Sequence, residues 1–311
     1  MRLFIILGRD CNLQCTYCCQ RQIINQQIPR HISTKFWNYF YSLPPKTRVT
    51  FFGGEPLLYF GAIKEIMSHR SDLHYGVITN GKLLDEEKVT YFNTYNVGVT
   101  ISWDGDISTK TRGYNALRDN PNIKDLNNLG ISAVLTKWNS IASVIHGVNK
   151  YLPGKNCSLN FDFPLNFTDK DFEYEQLNTS RMYNTMCRVT DRVIHFRSTP
   201  CERALLALVQ KQVHNSNQIG NKCGNGTTVI NIDLEGRLYN CHNENFPADY
   251  TKAWDKTIRR QNDMCTHCEI QGICRGGCSL VSDKNTKKQC QNKIAFYEGV
   301  VISLLRHYGG V

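Results

Sequence analysis

Cys11, Cys15 and Cys18 share one short stretch, Gly8-Arg9-Asp10-Cys11-Asn12-Leu13-Gln14-Cys15-Thr16-Tyr17-Cys18, spaced C-x3-C-x2-C. The stretch directly follows the apolar run Leu3-Phe4-Ile5-Ile6-Leu7, which reads as a first buried strand. Three thiolates on one loop can hold three irons of a 4Fe–4S cluster, where a purely structural cluster normally takes four cysteines. The fourth iron then stays open, and an open iron can bind and activate a ligand. A fold that uses this loop must present it at the end of a strand.

The rest of the composition supports metal over disulfides. The chain has 311 residues, enough for one large domain and a smaller one, and fourteen cysteines. The Leu3–Leu7 run is too short for a signal peptide core and is followed by Arg9 and Asp10, with no small-residue cleavage site. Without a secretory signal, disulfides are a poor explanation of so many thiols. Scattered buried thiols are a poor explanation too, because nearly all the cysteines fall in two dense groups, at the start and in the last third. No apolar run approaches the roughly 18 residues that a membrane span needs. The formal net charge of +10 counts every cysteine as neutral. A 4Fe–4S core on four thiolates carries about −2, and on three about −1, so three clusters would remove roughly four or five charges. The basic residues are also dispersed, which argues for a solvated surface and against a nucleic-acid partner.

Through the first half, short apolar segments alternate with helical patterns. The expected strands are Leu3–Leu7, Arg48–Phe52, Tyr75–Thr79, Val97–Ser102, Ile131–Thr136 and Ser158–Phe163. Ser33 can cap a helix through Phe36, Trp37 and Phe40 that Pro44-Pro45 would stop. Further helices are expected over 60–69, 85–95 and 140–151. Strands separated by crossover-length stretches argue for an α/β fold with a parallel sheet. After about Pro164 the strand–helix rhythm stops. Residues 169–193 and 201–214 read as helical, and the tail Ile294–Tyr308 as a closing amphipathic helix. From Asn221 to Lys293 cysteine and glycine dominate, so this part needs a metal or disulfide staple to fold.

Several short motifs fall at the expected strand ends, where α/β barrels place their chemistry. Gly53-Gly54-Glu55-Pro56 follows the second strand. Two glycines there let a ligand approach the backbone closely, and Glu55 can accept from an ammonium group. Thr79-Asn80-Gly81 ends the third strand, Ser102-Trp103-Asp104-Gly105 the fourth, and Thr136-Lys137-Trp138-Asn139 the fifth.

The cysteine loop, with aromatic Tyr17 just before its third cysteine, resembles that of the radical S-adenosylmethionine (SAM) enzymes. The resemblance implies a partial (β/α)6 barrel over residues 1–200, connecting helices included, and a SAM site at its strand ends. In that family the open iron chelates SAM, and the G-G-E-P stretch, complete here as Gly53, Gly54, Glu55 and Pro56, binds the methionine amino group. The T-N-G and S-x-D-G segments line the SAM pocket, which assigns Thr79, Asn80, Ser102 and Asp104. For Asp104 a ribose contact and a simple turn cap stand as equal alternatives. Arg112 lies where the family often has an arginine for SAM's carboxylate. Asn139 resembles the asparagine of the family's T-x-x-N and would contact adenosine or carboxylate.

The late cysteines carry a second pattern. Cys223, Gly236 and Cys241 read C-x12-G-x4-C, followed by Cys265-x2-Cys268-x5-Cys274-x3-Cys278 and then Cys290. This resembles the small cysteine-rich SPASM extension of peptide-modifying radical SAM enzymes and implies a second domain over 201–311. By that likeness Cys265, Cys268, Cys274 and Cys290 hold one auxiliary 4Fe–4S cluster, and Cys223, Cys241 and Cys278 another. Cys201 would complete the latter, or one iron stays open. Zinc is the competing reading of the C-x2-C pair, but seven cysteines do not divide into fours. Cys19, Cys157 and Cys187 read as inert buried thiols or, alternatively, as hydrogen-atom donors.

The family likeness implies reductive cleavage of SAM to a 5′-deoxyadenosyl radical and hydrogen abstraction from a substrate, in a reducing cytoplasm. The SPASM likeness favours a ribosomal peptide as substrate, crosslinked through C–S or C–C bonds or epimerised. A low-potential donor such as flavodoxin or ferredoxin would supply the electron. The chain begins at the barrel's first strand, so the peptide is expected to bind the barrel directly or arrive on a separate leader-binding partner. Sulfatase maturases carry an aspartate base where this chain has His242. The alternatives are a small-molecule dehydrogenase or epimerase acting on an aminocyclitol or sugar, and a non-catalytic iron–sulfur or zinc module.

Overall fold

A strand buried on both faces is written as a nearly continuous apolar run, and Leu3, Phe4, Ile5 and Ile6 are all under 9 % exposed. In the computed structural model they form β1 (Arg2–Ile6). The structure describes residues 1–20, 31–164, 177–214, 228–243, 267–274 and 283–309.

Helices and strands then alternate: α1 (Thr34–Tyr41), β2 (Arg48–Phe52), α2 (Phe60–His69), β3 (His74–Thr79), α3 (Glu86–Thr94) and β4 (Gly98–Ser102). Two short helices, α4 (Ser108–Arg112) and α5 (Ala116–Asp119), precede β5 (Leu129–Val134), α6 (Ile141–Tyr151) and β6 (Ser158–Asp162). Then come α7 (Thr179–Ile194), α8 (Pro200–His214), β7 (Val229–Asp233) and β8 (Leu238–Tyr239). A short helix, Gln271–Cys274, and a long C-terminal one, Asp283–Tyr308, finish the described chain. Ser33, Asp85 and Ser140 cap α1, α3 and α6, each side chain accepting from a first-turn backbone N–H.

The strands form one open sheet in the order β6-β5-β4-β3-β2-β1-β7-β8. Pairs β1–β2, β2–β3, β3–β4 and β1–β7 are parallel, and β7–β8 is antiparallel. The expected six strands are present, with ends displaced by at most two residues. Beyond Pro164 the strand–helix alternation gives way to α7 and α8, and β7 and β8, not among the expected strands, extend the sheet beyond β1. The tail helix begins at Asp283 and not Ile294; its first eleven residues carry no apolar stripe, so the amphipathic pattern alone starts too late. No helix among the described residues is long and apolar enough to cross a membrane.

The chain divides into two compact units. The first comprises Met1–Ser102, Arg112–Gly130 and Cys223–Lys256. One face of its strands is sealed: Leu3, Ile5, Val49, Phe51, Val77, Val99 and Ile101 are at most 1 % exposed. The opposite face carries Thr50, Phe52, Ile78, Thr100 and Ser102, all half-buried. The period of two that separates these sets is the strand's own. Gly236, at φ +77°, turns β7 into β8. Asp233 closes that turn, accepting from Glu235 N (3.0 Å), Arg237 N (2.9 Å), Arg237 Nε (2.7 Å) and the Tyr239 hydroxyl (2.8 Å).

The second unit comprises Trp103–Thr111, Ile131–Lys222 and Thr257–Val311. Its α7 packs along the C-terminal helix, where a Cβ on Gly299 would lie 2.5 Å from the Tyr183 carbonyl. Cys157, Cys187 and Cys201 are buried in this unit. Burial pushes the Cys157 thiol up to about 11 and the Cys201 thiol higher still, with Cys157 and Glu202 adding to the latter.

Candidate active site

Parallel pairing brings the C-terminal ends of β1, β2, β3 and β4 to one edge of the first unit. The cysteine loop leaves β1 there, Gly53-Gly54-Glu55-Pro56 leaves β2, Thr79-Asn80-Gly81 leaves β3, and Ser102 ends β4. The ladder between β1 and β2 continues past the strands. Leu7 N donates to Phe52 O (2.9 Å), Gly54 N to Gly8 O (3.0 Å) and Glu55 N to Asp10 O (2.8 Å).

The two glycines are needed for that docking. A Cβ on Gly53 would lie 2.3 Å from Gly8 O, and one on Gly54 would lie 2.2 Å from Asp10 O and 2.6 Å from Arg9 O. The close approach that their sequence suggested for a ligand is here made by the backbone of the cysteine loop. Asp10 is held in addition by the Tyr59 hydroxyl, which donates to its carboxylate at 2.6 Å.

Glu55 caps the short 3-10 turn Pro56–Tyr59 and is 1 % exposed. Its Oε1 accepts from Leu57 N (3.0 Å) and the Thr79 hydroxyl (2.6 Å), and its Oε2 from Asn80 N (2.8 Å). A carboxylate offers about four lone-pair sites, so one acceptor site remains on Oε2 among the described residues. Burial raises the carboxyl's pKa, against the pull of those three donors. A cationic donor on the remaining site would favour the ionised form.

Asn80 extends the chain of bonds into the cysteine loop. Its Nδ2 donates to Asn12 Oδ1 at 2.7 Å, and its Oδ1 accepts from Lys82 N at 2.9 Å. Asn12 Nδ2 is buried and has no hydrogen-bond partner among the described residues. The sequence reading passed over Asn12. Its only signal there is its place directly after Cys11.

Cys11, Cys15 and Cys18 are half-buried, with Cys18 N donating to Cys15 O at 3.2 Å. Burial, then Glu55 and the two neighbouring cysteines, push the Cys11 thiol up to about 11. Among the described residues no three His, Cys, Asp or Glu side chains gather to hold a single metal ion. Each thiolate of a 4Fe–4S cluster bonds a different iron, so its ligands need not converge on one point. Three half-buried thiols on one loop, beside an orphaned amide donor and a buried carboxylate with a site to spare, fit a cluster carrying an amino-acid ligand. Arg112 is 8 % exposed, and its guanidinium lies over the Tyr17 ring, 5.4 Å from the centroid.

Residues 5–106 match the model of the Radical SAM superfamily. The chain carries a radical SAM domain. A 109-residue stretch is 29 % identical to the uncharacterized protein MJ0907 of Methanocaldococcus jannaschii, covering 33 % of this chain and 38 % of that one. A 123-residue alignment is 28 % identical to the radical SAM cyclopropyl synthase TigE of Paramaledivibacter caminithermalis, covering 32 % of this chain and 26 % of that one. The chain thus spans well under half the length of either curated relative. The fold matches that of anSMEcpe with bound AdoMet and Cp18Cys peptide (TM-score 0.74, 17 % identity, 99 % of both chains). It also matches Streptococcus suis SuiB bound to precursor peptide SuiA (TM-score 0.61, 16 % identity, 90 % of this chain and 72 % of that one).

The first unit keeps His242 against the half-buried face of its sheet. The imidazole stacks on Phe4 and meets Phe52 edge-on, both at 4.5 Å between centroids. Burial, then Arg9 and Arg2, push its pKa down to about 4, so the ring is neutral at pH 7. Arg9 fixes the segment by donating to the His242 carbonyl at 3.0 Å.

In the second unit, Asp104 accepts from Val134 N (2.9 Å) and the Thr111 hydroxyl (2.8 Å). Asn139 Oδ1 accepts from Thr136 N (2.6 Å) and Oγ1 (3.2 Å), and its Nδ2 donates to Asp104 O and Val134 O (both 2.9 Å). All four of its hydrogen-bonding positions are met by protein. Cys241, Cys268, Cys274 and Cys290 are half-buried or buried. Cys223, Cys265 and Cys278 lie outside the described residues.

Proposed function

We propose that this chain is a radical SAM enzyme that modifies a ribosomally made peptide. The observation carrying the reading is the strand-end arrangement of the first unit. Cys11, Cys15 and Cys18 stand beside Glu55, Thr79, Asn80 and Ser102 on one edge of a parallel sheet. In this reading the three cysteines hold a 4Fe–4S cluster and leave one iron for SAM. The bound pair supplies a 5′-deoxyadenosyl radical that abstracts hydrogen from substrate.

The chain's own residues prepare that site. Gly53 and Gly54 let the cysteine loop seat on the second strand's exit. Glu55 accepts the ammonium of SAM on its remaining lone pair and fixes Thr79 and Asn80 through the others. Ser102, on the open face, takes a ribose or carboxylate contact. Arg112 steadies Tyr17 inside the cysteine loop. Asp104 and Asn139 act as positioning residues that hold the exits of the fourth and fifth strands.

The reading extends to a SPASM domain over 201–311. There Cys265, Cys268, Cys274 and Cys290 hold one auxiliary cluster, and Cys223, Cys241 and Cys278 hold part of another. The peptide substrate is supported by two structural neighbours of this fold, one with bound Cp18Cys peptide and one with bound precursor peptide SuiA. Flavodoxin or ferredoxin in the cytoplasm fits as electron donor.

Anaerobic reconstitution tests this. About twelve irons per chain are expected for three clusters. Dithionite and SAM should yield 5′-deoxyadenosine, and Cys15→Ala should abolish it. Undiminished SAM scission in Cys15→Ala would refute the reading. A short precursor peptide encoded beside the gene should then lose a hydrogen pair on crosslinking, or keep its mass with one inverted centre.

A further inference from the structure

We propose that Asn12 is a positioning residue for the carboxylate of SAM, through a buried amide donor that has no partner among the described residues. The inference rests on the radical SAM reading of the site and adds to it a residue between the first two cysteines to which the motif itself assigns no role.

The argument starts from which way each amide faces. Asn80 Oδ1 accepts from Lys82 N at 2.9 Å, so Asn80 must turn its Nδ2 toward Asn12. Asn12 answers with Oδ1, which leaves Nδ2 as its free end. That Nδ2 is buried without a partner. A buried donor normally finds one, and leaving it unmet is costly. The cost is explained if a ligand supplies the acceptor.

The neighbourhood says which kind of acceptor. Glu55 Oε2, Asn80 and Asn12 form one continuous series, Glu55 accepting from Asn80 N at 2.8 Å and Asn12 accepting from Asn80 Nδ2 at 2.7 Å. One end of the series is a carboxylate with an acceptor site to spare. The other end is an orphaned donor. An α-amino acid presents the complementary pair, an ammonium and a carboxylate on one carbon. Asn80 therefore sets the spacing between two groups that read opposite ends of one zwitterion. Asn12 is neutral, so it serves an anion here without adding charge beside the three cysteines.

The test compares SAM with decarboxylated SAM, which keeps the sulfonium and the adenosine but lacks the carboxylate. Binding of both is measured by equilibrium dialysis on anaerobically reconstituted wild type and Asn12→Asp. The variant keeps the acceptor that Asn80 needs and replaces the donor with an oxygen. The preference for SAM over its decarboxylated form is expected to fall by roughly 10- to 150-fold, the range for a hydrogen bond to a charged group. Asn12→Leu, which removes donor and acceptor together, should reduce the same ratio and decides the matter if Asn12→Asp does not hold iron. An unchanged ratio in a variant that still binds SAM overturns the proposal. An unchanged ratio with a shifted cluster midpoint potential overturns it too, by giving the donor to a cluster sulfur. If wild type binds neither compound, the radical SAM reading itself has failed.

Discussion

Gly54→Ala should undo the seat of the cysteine loop. The new Cβ would stand 2.2 Å from Asp10 O and 2.6 Å from Arg9 O, both backbone atoms of the loop. Ordinary carbon–oxygen contact is more than 3 Å, so loop and turn must separate by about 1 Å. Separation on that scale carries the Gly54–Gly8 and Glu55–Asp10 hydrogen bonds, now 3.0 and 2.8 Å, beyond bonding range. Two backbone bonds are worth about 1–3 kcal/mol net, and overpacking typically costs about 1–3 kcal/mol. The terms overlap, so we expect about 3 kcal/mol and, at about 2.1 cal/mol/K per residue over 311 residues, a fall in Tm of roughly 5 °C. Scanning fluorimetry of anaerobically purified protein reads the shift, and iron analysis reads the loss of metal from the loosened loop. Gly61→Ala is the control. Gly61 lies in α2 with nothing within 4 Å of its Cβ position, so the change should be neutral or raise Tm slightly. If Gly54→Ala melts like wild type and keeps its iron, the docking role of the glycine is wrong.

Two further outcomes follow from the buried carboxylate and the strand-end amide. Burial raises the pKa of Glu55, so the folded protein holds this proton more tightly than the unfolded chain does. The group's contribution to stability is therefore present at low pH and is lost as pH rises through the raised value. Glu55→Gln should flatten that part of the stability–pH curve of the ligand-free protein, and should weaken SAM binding about tenfold or more. A curve identical to wild type would contradict the assignment. Asn139→Ala removes four hydrogen bonds and strands Thr136 N. It should cost about 2–4 kcal/mol in urea unfolding, and a loss below 1 kcal/mol would show that the turn is held by other contacts.

The first six strands and their caps were legible because their signals are local. Ser33, Asp85 and Ser140 each precede an apolar helical pattern, and the runs at 48–52 and 98–102 alternate inward and outward as strands must. β7 was not legible. Val229–Asp233 is five residues long amid glycine and cysteine, and its partner is β1, more than 220 residues earlier. Val-Ile-Asn-Ile-Asp carries the β-branched residues of a strand, but nothing local names the distant β1 as its partner. The site divides in the same way. The cysteine spacing and Gly53–Pro56 could be read directly, because their residue types carry the chemistry. Asn12 could not, because an asparagine becomes informative only when its neighbours have claimed one end of the amide. Asn139 reads from its motif as an adenosine or carboxylate contact, and the four hydrogen bonds its amide makes within the fold become visible only in the structure.

The pairing of β7 with β1 has a consequence for synthesis. While the nascent chain is shorter than about residue 229, β1 can pair only with β2, and its other edge is bare. That edge belongs to the apolar run Leu3–Ile6, the kind of strand that recruits foreign partners when left open. Ribosomal release of a chain truncated before β7 should therefore yield aggregates, and the complete chain should depend on rapid late closure or on chaperone cover.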